Sequence, residues 1–285
     1  MGVNLRPFTV DDVSFALAQT VREGWATNPE WFRLYLRHDP EGSLIAEVSG
    51  RPVGMVTTTR YADAAWIGNL IVLPDHRRRG IGYGLMSSAR ELLTATGIRT
   101  VRLEADPPGI GVYRRLGFRD ELESLRFFLD PARPAPATAR ADPAPEPLTE
   151  AALPAVADFD RPRFGDDRAR MLRLLLEVAE TGYLLRRGGC VAGYLMVLGT
   201  RSGLQIGPWI AADAAAAQAL LEAALHHAAG RRVRVGLPVL NRAGCELLRR
   251  YGFTATASSY RMLWGSRTAT GDPSNVFAIA NGAIG

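Results

Sequence analysis

The sequence predicts an α/β (α+β) protein with two domains in tandem. Strand and helix patterns alternate through the first 130 residues. A segment at 131–147 is rich in proline and alanine, and its prolines remove backbone donors and stiffen the chain, which argues against a packed core there. Residues 148–285 then repeat part of the earlier order of motifs. We therefore expect domains at 1–130 and 148–285 joined by a linker at 131–147.

The first domain is predicted to follow the order β-α-α-β-β-β-α-β-α-β. Alternating apolar residues indicate its strands, whereas helical spacing with capping residues indicates its helices. The predicted elements are a strand at 4–10, helices at 11–25 and 29–38, strands at 43–48, 52–60 and 64–73, a helix at 82–95, a strand at 100–106, a helix at 110–116 and a strand at 121–129.

A basic, glycine-punctuated turn follows the strand that stops at Pro74. It reads Arg77-Arg78-Arg79-Gly80-Ile81-Gly82 and opens directly into a helix. Such a turn presents free backbone N–H groups at a helix N-terminus, where the macrodipole favours an anion. Glycine lets the backbone approach a bulky ligand, and arginine adds charge-assisted contacts to phosphate oxygens. The turn therefore predicts a site for a pyrophosphate.

The spacing narrows the choice of phosphate ligand. The chain contains no lysine, so a Walker loop is excluded, and the third glycine of a dinucleotide fingerprint is absent. The pattern Arg77-x-x-Gly80-x-Gly82 instead resembles the acetyl-CoA loop of the GNAT N-acetyltransferase superfamily. The run Glu23-Gly24-Trp25 resembles that of bacterial tandem members, and so does Leu103-Glu104-Ala105. The resemblance implies mixed, mostly antiparallel sheets flanked by helices.

The segment after the fifth strand carries the second motif. Asp106-x6-Tyr113-x3-Gly117-Phe118 resembles the place where GNAT enzymes keep the tyrosine that faces the thioester sulfur. Taken without its context, Tyr113 is a packing tyrosine; its position after the glycine loop favours the role of general acid.

The resemblance implies further site residues. The backbone of the strand before the loop is expected to bind the pantetheine arm, and the loop the pyrophosphate, with an aspartate near the cofactor arm where many relatives have asparagine. These cofactor residues are Leu70, Ile71, Val72, Arg77, Arg78, Arg79, Gly80, Ile81, Gly82, Tyr83 and Asp106.

The general base and the acceptor residues are less determined by the sequence. Glu104 is a candidate base, the alternative being a surface carboxylate paired with Arg102. Glu23 is a second candidate base and, with Trp25, a candidate for the acceptor site. No metal ligands are predicted.

The second half repeats these motifs without their chemistry. Asn241 to Phe253 aligns with Asp106 to Phe118, but Leu248 stands where the first copy has Tyr113. The positions matching Arg77 to Gly82 are Ala216 to Leu221, without glycine or arginine. We expect a degenerate GNAT-like domain that cannot hold coenzyme A. Tandem relatives that make mycothiol keep the working loop in the second half, so that activity is less favoured.

Composition excludes several classes of protein. The net charge is +5, but residues 1–130 hold 16 arginines and 16 acidic residues, so no basic stripe for nucleic acid is expected there. No apolar run of about 18 residues and no basic-then-apolar leader occurs, so we expect no membrane partner and a cytoplasmic location.

The sequence thus predicts an acetyl-CoA-dependent N-acetyltransferase that acts on a primary amine of a small molecule or protein. A non-catalytic coenzyme A sensor or interaction protein stays open, as do another acyl-CoA donor and the oligomeric state.

Overall fold

The structure is a computed structural model that describes residues 2–131, 143–256, 258–266 and 271–285. The chain forms two compact units. The first unit contains the described residues up to 121 together with 260–266 and 282–285. The second contains the described residues of 122–259 together with 271–281. None of the helices in these ranges is long and apolar enough to cross a membrane.

The elements of the first half agree closely with those predicted. They are β1 (Val3–Pro7), α1 (Val13–Arg22), α2 (Pro29–His38), β2 (Leu44–Val48), β3 (Arg51–Arg60), β4 (Ala64–Val72), α3 (Ile81–Ala95), β5 (Thr100–Ala105), α4 (Ile110–Arg115) and β6 (Arg119–Leu129). Helix α1 starts later than predicted because a short 3-10 turn precedes it at Val10–Asp12.

The second half contributes the remaining elements. They are β7 (Glu146–Pro147), α5 (Leu153–Phe164), α6 (Ala169–Val178), β8 (Ala179–Arg187), β9 (Cys190–Thr200), β10 (Gly203–Ala211), α7 (Ala214–His227), β11 (Val233–Pro238), α8 (Arg242–Arg250), β12 (Thr254–Ala255), β13 (Ser259–Gly265) and β14 (Val276–Ala278). Glu146–Pro147 belonged to the predicted linker but pairs with β8. The linker residues 132–142 lie outside the described residues.

The sheet of the first unit has the strand order β1-β2-β3-β4-β5-β13. Only β4 and β5 run parallel within it; the other neighbours are antiparallel. Helices α3 and α4 cover one face, where Leu85 and Met86 pack on Ile67 and Leu103. Helices α1 and α2 contribute to the opposite face, where Phe8 stacks on Phe32.

The sheet of the second unit repeats this plan. Its strand order is β6-β11-β10-β9-β8-β7, in which only β10 and β11 are parallel. Helices α7 and α8 pack on its core through Leu220, Leu221 and Leu247. The predicted mixed and mostly antiparallel sheets are therefore confirmed in both units.

The last strand of each half is exchanged between the units. Strand β6 closes the first half of the sequence, yet it pairs with β11 in the second unit. Strand β13 closes the second half, yet it pairs with β5 in the first unit. The compact units therefore differ from the contiguous ranges 1–130 and 148–285 expected from the sequence.

Candidate functional site

The glycine-punctuated turn has the backbone shape of an anion-binding site. Arg78 has φ 61° and Gly80, the residue before α3, has φ 80°. Left-handed residues among right-handed ones turn successive N–H groups towards one point, which creates a concavity for an anion. A left-handed arginine is also a local strain of the kind that collects at binding sites.

The N–H groups of this turn are free to receive a ligand. Across the described residues, no hydrogen bond is donated by the N–H groups of residues 78–83, and the first bond into the helix runs from Gly84 N to Gly80 O at 2.9 Å. A Cβ built on Gly80 would meet no atom within 4 Å, so the space beside it is open. Arg78, Arg79 and Tyr83 are exposed. The turn thus offers the donors, the room and the positive charge that a pyrophosphate requires.

The side chain of Arg77 is held by contacts with its own protein. Its Nε donates to the carbonyl of Val72 at 2.8 Å, and its guanidinium forms an ion pair with Glu23. Glu23 follows α1 in a turn where Trp25 N donates to Thr20 O. The predicted acceptor residue Glu23 and the predicted phosphate residue Arg77 are therefore in direct contact with each other.

Strand β4 carries a β-bulge just before the turn. Met55 pairs with Ile71 and Thr57 with Gly68, so β4 uses one residue more than β3 over this interval. Asn69 takes up the extra length with φ 51°, a conformation that asparagine tolerates, and its side chain donates to Thr57 Oγ1 at 2.9 Å. We did not predict this bulge, although a Gly-Asn pair inside a strand pattern is a signal for one.

The bulge leaves an open strand edge beside the turn. The pairing of β4 with β5 ends at Trp66 and Arg102. Ile71 and Val72 pair with β3 on one side, and no strand within the described ranges pairs with residues 70–72 on the side of β5. Backbone groups along that edge can bind an extended amide-containing ligand in the manner of an added strand.

Tyr113 stands on α4, directly after the carboxyl end of β5. Its ring packs edge-on against Phe118 and lies against Gly109, where an added Cβ would come within 2.8 Å of the ring. Burial and, to a smaller extent, the negative charge of Asp106 together raise the pKa of Tyr113 to about 12. The phenol therefore stays protonated at neutral pH, as a proton donor must.

Glu104 lies on the face of β5 opposite to α3, and its side chain is buried. Its carboxylate accepts from Arg261 Nε of β13 at 3.0 Å, and the guanidinium of Arg261 lies over the ring of Trp66. Arg102, the alternative partner considered above, is paired instead with Glu121 at 3.0 Å. No sequence pattern indicates Arg261 as the partner of Glu104, because the two residues are 157 positions apart.

The corresponding edge of the second unit is filled by its own chain. Strand β10 has the same one-residue bulge, at Gly207 and Pro208. Strand β14 pairs there with Trp209 and Ile210, which align with Leu70 and Ile71. Ile279 then donates its N–H to Gly236 O of β11 at 2.8 Å. The gap between β10 and β11 is thus bridged by residues 276–279.

Comparison with known families agrees with this repeated architecture. Residues 12–118 match the model of the acetyltransferase (GNAT) family, and residues 156–278 match an acetyltransferase (GNAT) domain. The chain belongs to the GNAT superfamily. It carries two GNAT domains in tandem, as the sequence predicted.

Individual relatives support the same assignment. The crystal structure of a "Putative Acetyltransferase" from Pyrococcus horikoshii has a TM-score of 0.85 at 26% identity, covering 100% of this chain and 96% of that one. An uncharacterized N-acetyltransferase of Methanocaldococcus jannaschii is 33% identical over 105 residues, which are 32% of this chain and 45% of the relative. A mycothiol acetyltransferase of Clavibacter michiganensis is 31% identical over 140 residues, 44% of this chain and 45% of the relative. The chain thus spans about half the length of these two curated relatives.

The described residues contain no group of three or more His, Cys, Asp or Glu side chains arranged to hold a metal ion.

Proposed function

We propose that this GNAT protein transfers the acetyl group of acetyl-CoA to a primary amine, and that the first unit performs the reaction. The observation that carries the proposal is the contrast between the units. The first unit joins an open strand edge to an open anion-binding turn, whereas in the second unit β14 lies along the corresponding edge.

The chemistry of the donor set fits coenzyme A. In the proposal, free N–H groups of residues 78–83, together with Arg78 and Arg79, bind the pyrophosphate. The backbone of Leu70–Val72 binds the amides of the pantetheine arm. The strand edge leads directly into the turn through Leu73 and Pro74, so one extended ligand can contact both.

Tyr113 is the proposed general acid. In the transfer, the amine nitrogen forms a bond to the acetyl carbon, the carbon–sulfur bond breaks, and the thiolate leaves. A thiol has an ordinary pKa of about 8.5, so the thiolate is a mild leaving group that a protonated phenol can assist. The proton of Tyr113 goes to the sulfur, and the nitrogen loses one proton to a base.

The acceptor is proposed to be the amine of a small molecule or of a protein. Glu104 and Glu23 remain the proposed bases, and each would have to release its arginine partner, Arg261 or Arg77, to take a proton. Glu23 and Trp25 follow α1, near the loop that leads to α2, and are the proposed acceptor contacts.

Calorimetry with acetyl-CoA and with coenzyme A tests this function first. We expect acetyl-CoA to bind to the wild type and to bind about tenfold to hundredfold more weakly to Arg78→Ala and to Arg79→Ala, because each change removes a charge-assisted contact worth about 1.5–3 kcal/mol. Arg51→Ala is the matched control, since Arg51 is an exposed arginine in the β2–β3 hairpin. Equal weakening in all three variants would show only a general effect of charge.

Turnover is tested by mass spectrometry of an amine library incubated with the protein and acetyl-CoA. An acetylated amine with release of the coenzyme A thiol supports the proposal. Binding without any acetylation would favour a coenzyme A sensor, and absence of binding would overturn the proposal.

A further inference from the structure

The last described residues of the chain lie across the strands of the first unit, at the point where β4 and β5 separate. A Cβ added to Gly68 would come within 2.3 Å of Ala283 Cβ, and one added to Gly282 would come within 3.2 Å of Glu104 Cβ. Gly68 and Glu104 lie two residues beyond Trp66 and Arg102, where the pairing of the two strands ends. Residues 282–284, which we call the crossing segment, therefore pass over the narrow end of the open cleft.

The crossing segment lies on the face opposite to α3. Ile67 and Leu103 point into the core that α3 covers, so their neighbours Gly68 and Glu104 point to the other face. Helix α1 packs near β4 on that face and leads into the turn that holds Glu23 and Trp25. In the proposed reaction, an amine approaching from the side of α1 meets the crossing segment before it reaches the bulge.

The segment is held in place and does not behave as a lid. Ile284 is 0% exposed and Ala283 is 6% exposed. The hydroxyl of Tyr61 donates to the carbonyl of Ile284 at 2.6 Å, and this bond is buried. Glycine at position 68 is required by the close approach, since any side chain would displace Ala283.

The surface of the segment is apolar and its neighbouring charges are already paired. Ala283 contributes a methyl group, and Glu104 beneath Gly282 is bonded to Arg261. In the proposed reaction, this side of the cleft would discriminate by size and not by charge.

We propose that the crossing segment 282–284 is a fixed wall on the acceptor side of the cleft, which keeps water from the thioester and selects amines on unbranched carbons over amines on branched carbons. The inference rests on the proposed function. Ala283 is its central specificity-determining residue, because its methyl group stands over Gly68 beside the bulge.

The test compares Ala283→Gly with two matched variants. Ala283→Ser keeps the thickness of the wall, and Ala280→Gly makes the same exchange at a fully buried alanine of the same tail within the second unit. Without an acceptor, thiol release from acetyl-CoA measures hydrolysis. Water oxygen bonds to the acetyl carbon, the carbon–sulfur bond breaks, and the products are acetate, the coenzyme A thiol and one proton. We expect severalfold faster hydrolysis in Ala283→Gly than in Ala283→Ser, and wild-type hydrolysis in Ala280→Gly.

Selectivity is measured with propylamine and isopropylamine as probes. The ratio of their kcat/KM values should fall about tenfold in Ala283→Gly, in line with the discrimination that one methyl group provides. The Kd of acetyl-CoA, measured by calorimetry, should be the same in all variants. If Ala283→Gly hydrolyses acetyl-CoA at the wild-type rate and binds it with the wild-type Kd, the proposal that segment 282–284 is a wall is wrong. If the wild type does not bind acetyl-CoA, the proposed function itself is wrong.

Discussion

At the residue scale, the protonation state of Tyr113 links the fold to the proposed chemistry. The phenol is half-buried, lies between Gly109 and Phe118 after the end of β5, and is near Asp106. Both burial and the neighbouring negative charge disfavour the phenolate. The same environment that packs the ring therefore keeps it competent as an acid.

The substitution Tyr113→Phe removes the phenolic hydroxyl with its proton and keeps the aromatic ring. We expect the Kd of acetyl-CoA to stay unchanged and kcat to fall about 10²-fold or more, since positioned proton transfer contributes about 10²–10⁴ in rate. Calorimetry and a thiol-release assay measure the two effects separately. Turnover equal to wild type would remove Tyr113 from the mechanism.

The pH dependence of turnover follows from the raised pKa of Tyr113. The folded value of about 12 exceeds the ordinary 10.0, so the contribution of the neutral phenol to stability is fully present below pH 10 and is lost as the pH rises through about 12. We therefore expect no loss of kcat from phenol ionisation up to pH 10. A decline with an apparent pKa near 10 that is absent in Tyr113→Phe would contradict this assignment.

A buried ion pair in the second unit carries a different residue-scale prediction. Arg168 bonds both carboxylate oxygens of Asp160 at 2.8 Å, and Tyr194 donates to the same carboxylate at 2.5 Å. Asp160→Asn removes the charge that pairs with the buried guanidinium of Arg168 and should lower the free energy of unfolding by about 3–5 kcal/mol. Tyr194→Phe, the matched control, keeps the ion pair and should lower it by about 1–3 kcal/mol. Urea unfolding measures both losses. Equal losses in the two variants would show that the ion pair contributes no more to the free energy of unfolding than the hydrogen bond of Tyr194.

Single residues show where sequence reasoning reaches its limit. The turn with Gly80 and Gly82 and the short helix with Tyr113 can be predicted from the sequence, because both are local elements with typical capping residues. The pairing of Glu104 with Arg261 was not readable, because it depends on which strand lies beside β5. Local patterns specify elements, whereas contacts between distant strands follow from the topology.

At the scale of elements, β14 explains why the second copy differs from the first. The exchange of Arg77–Gly82 for Ala216–Leu221 removes the anion-binding turn. Strand β14 adds a second obstacle, since Phe277 packs on Trp209 with ring centroids 5.2 Å apart. Residues 276–279 return to the core, with β14 at the bulge of β10.

The missing anion-binding turn and the added strand β14 together predict how many acetyl-CoA molecules one chain binds. We expect calorimetry to give one acetyl-CoA per chain. Phe277→Ala should lower the free energy of unfolding by about 3–5 kcal/mol through the cavity that it leaves. The variant should still bind one acetyl-CoA per chain, because the segment at the start of α7 has neither a glycine turn nor an arginine. Two molecules bound per chain in this variant would show that β14 was the only obstacle.

At the scale of the whole molecule, the exchange of β6 and β13 sets what can fold independently. The sequence predicted β6 near its observed position, at 121–129, but assigned it to the first half, and β13 likewise belongs to the second half of the sequence. Their alternating patterns predict a strand and not its partner, and register between distant strands is decided by packing. Met262 of β13 is fully buried in the core that α3 covers, and Ile284 is fully buried in the same unit. The first unit therefore depends on residues from the far end of the chain.

A fragment of residues 1–130 tests this dependence. It keeps every predicted site residue but lacks β13 beside β5, the crossing segment 282–284 and Arg261 opposite Glu104. Exposing the open edge of β5 and removing the ion pair between Glu104 and Arg261 should prevent a stable fold. We expect circular dichroism to show no cooperative thermal transition and calorimetry to show no acetyl-CoA binding, both of which the full chain should retain. A chain with the single change Met262→Ala is the graded control, because it keeps β13 and should lose only about 2–5 kcal/mol of stability. A fragment that folds cooperatively and binds acetyl-CoA as tightly as the full chain would show that the first half needs nothing from the second.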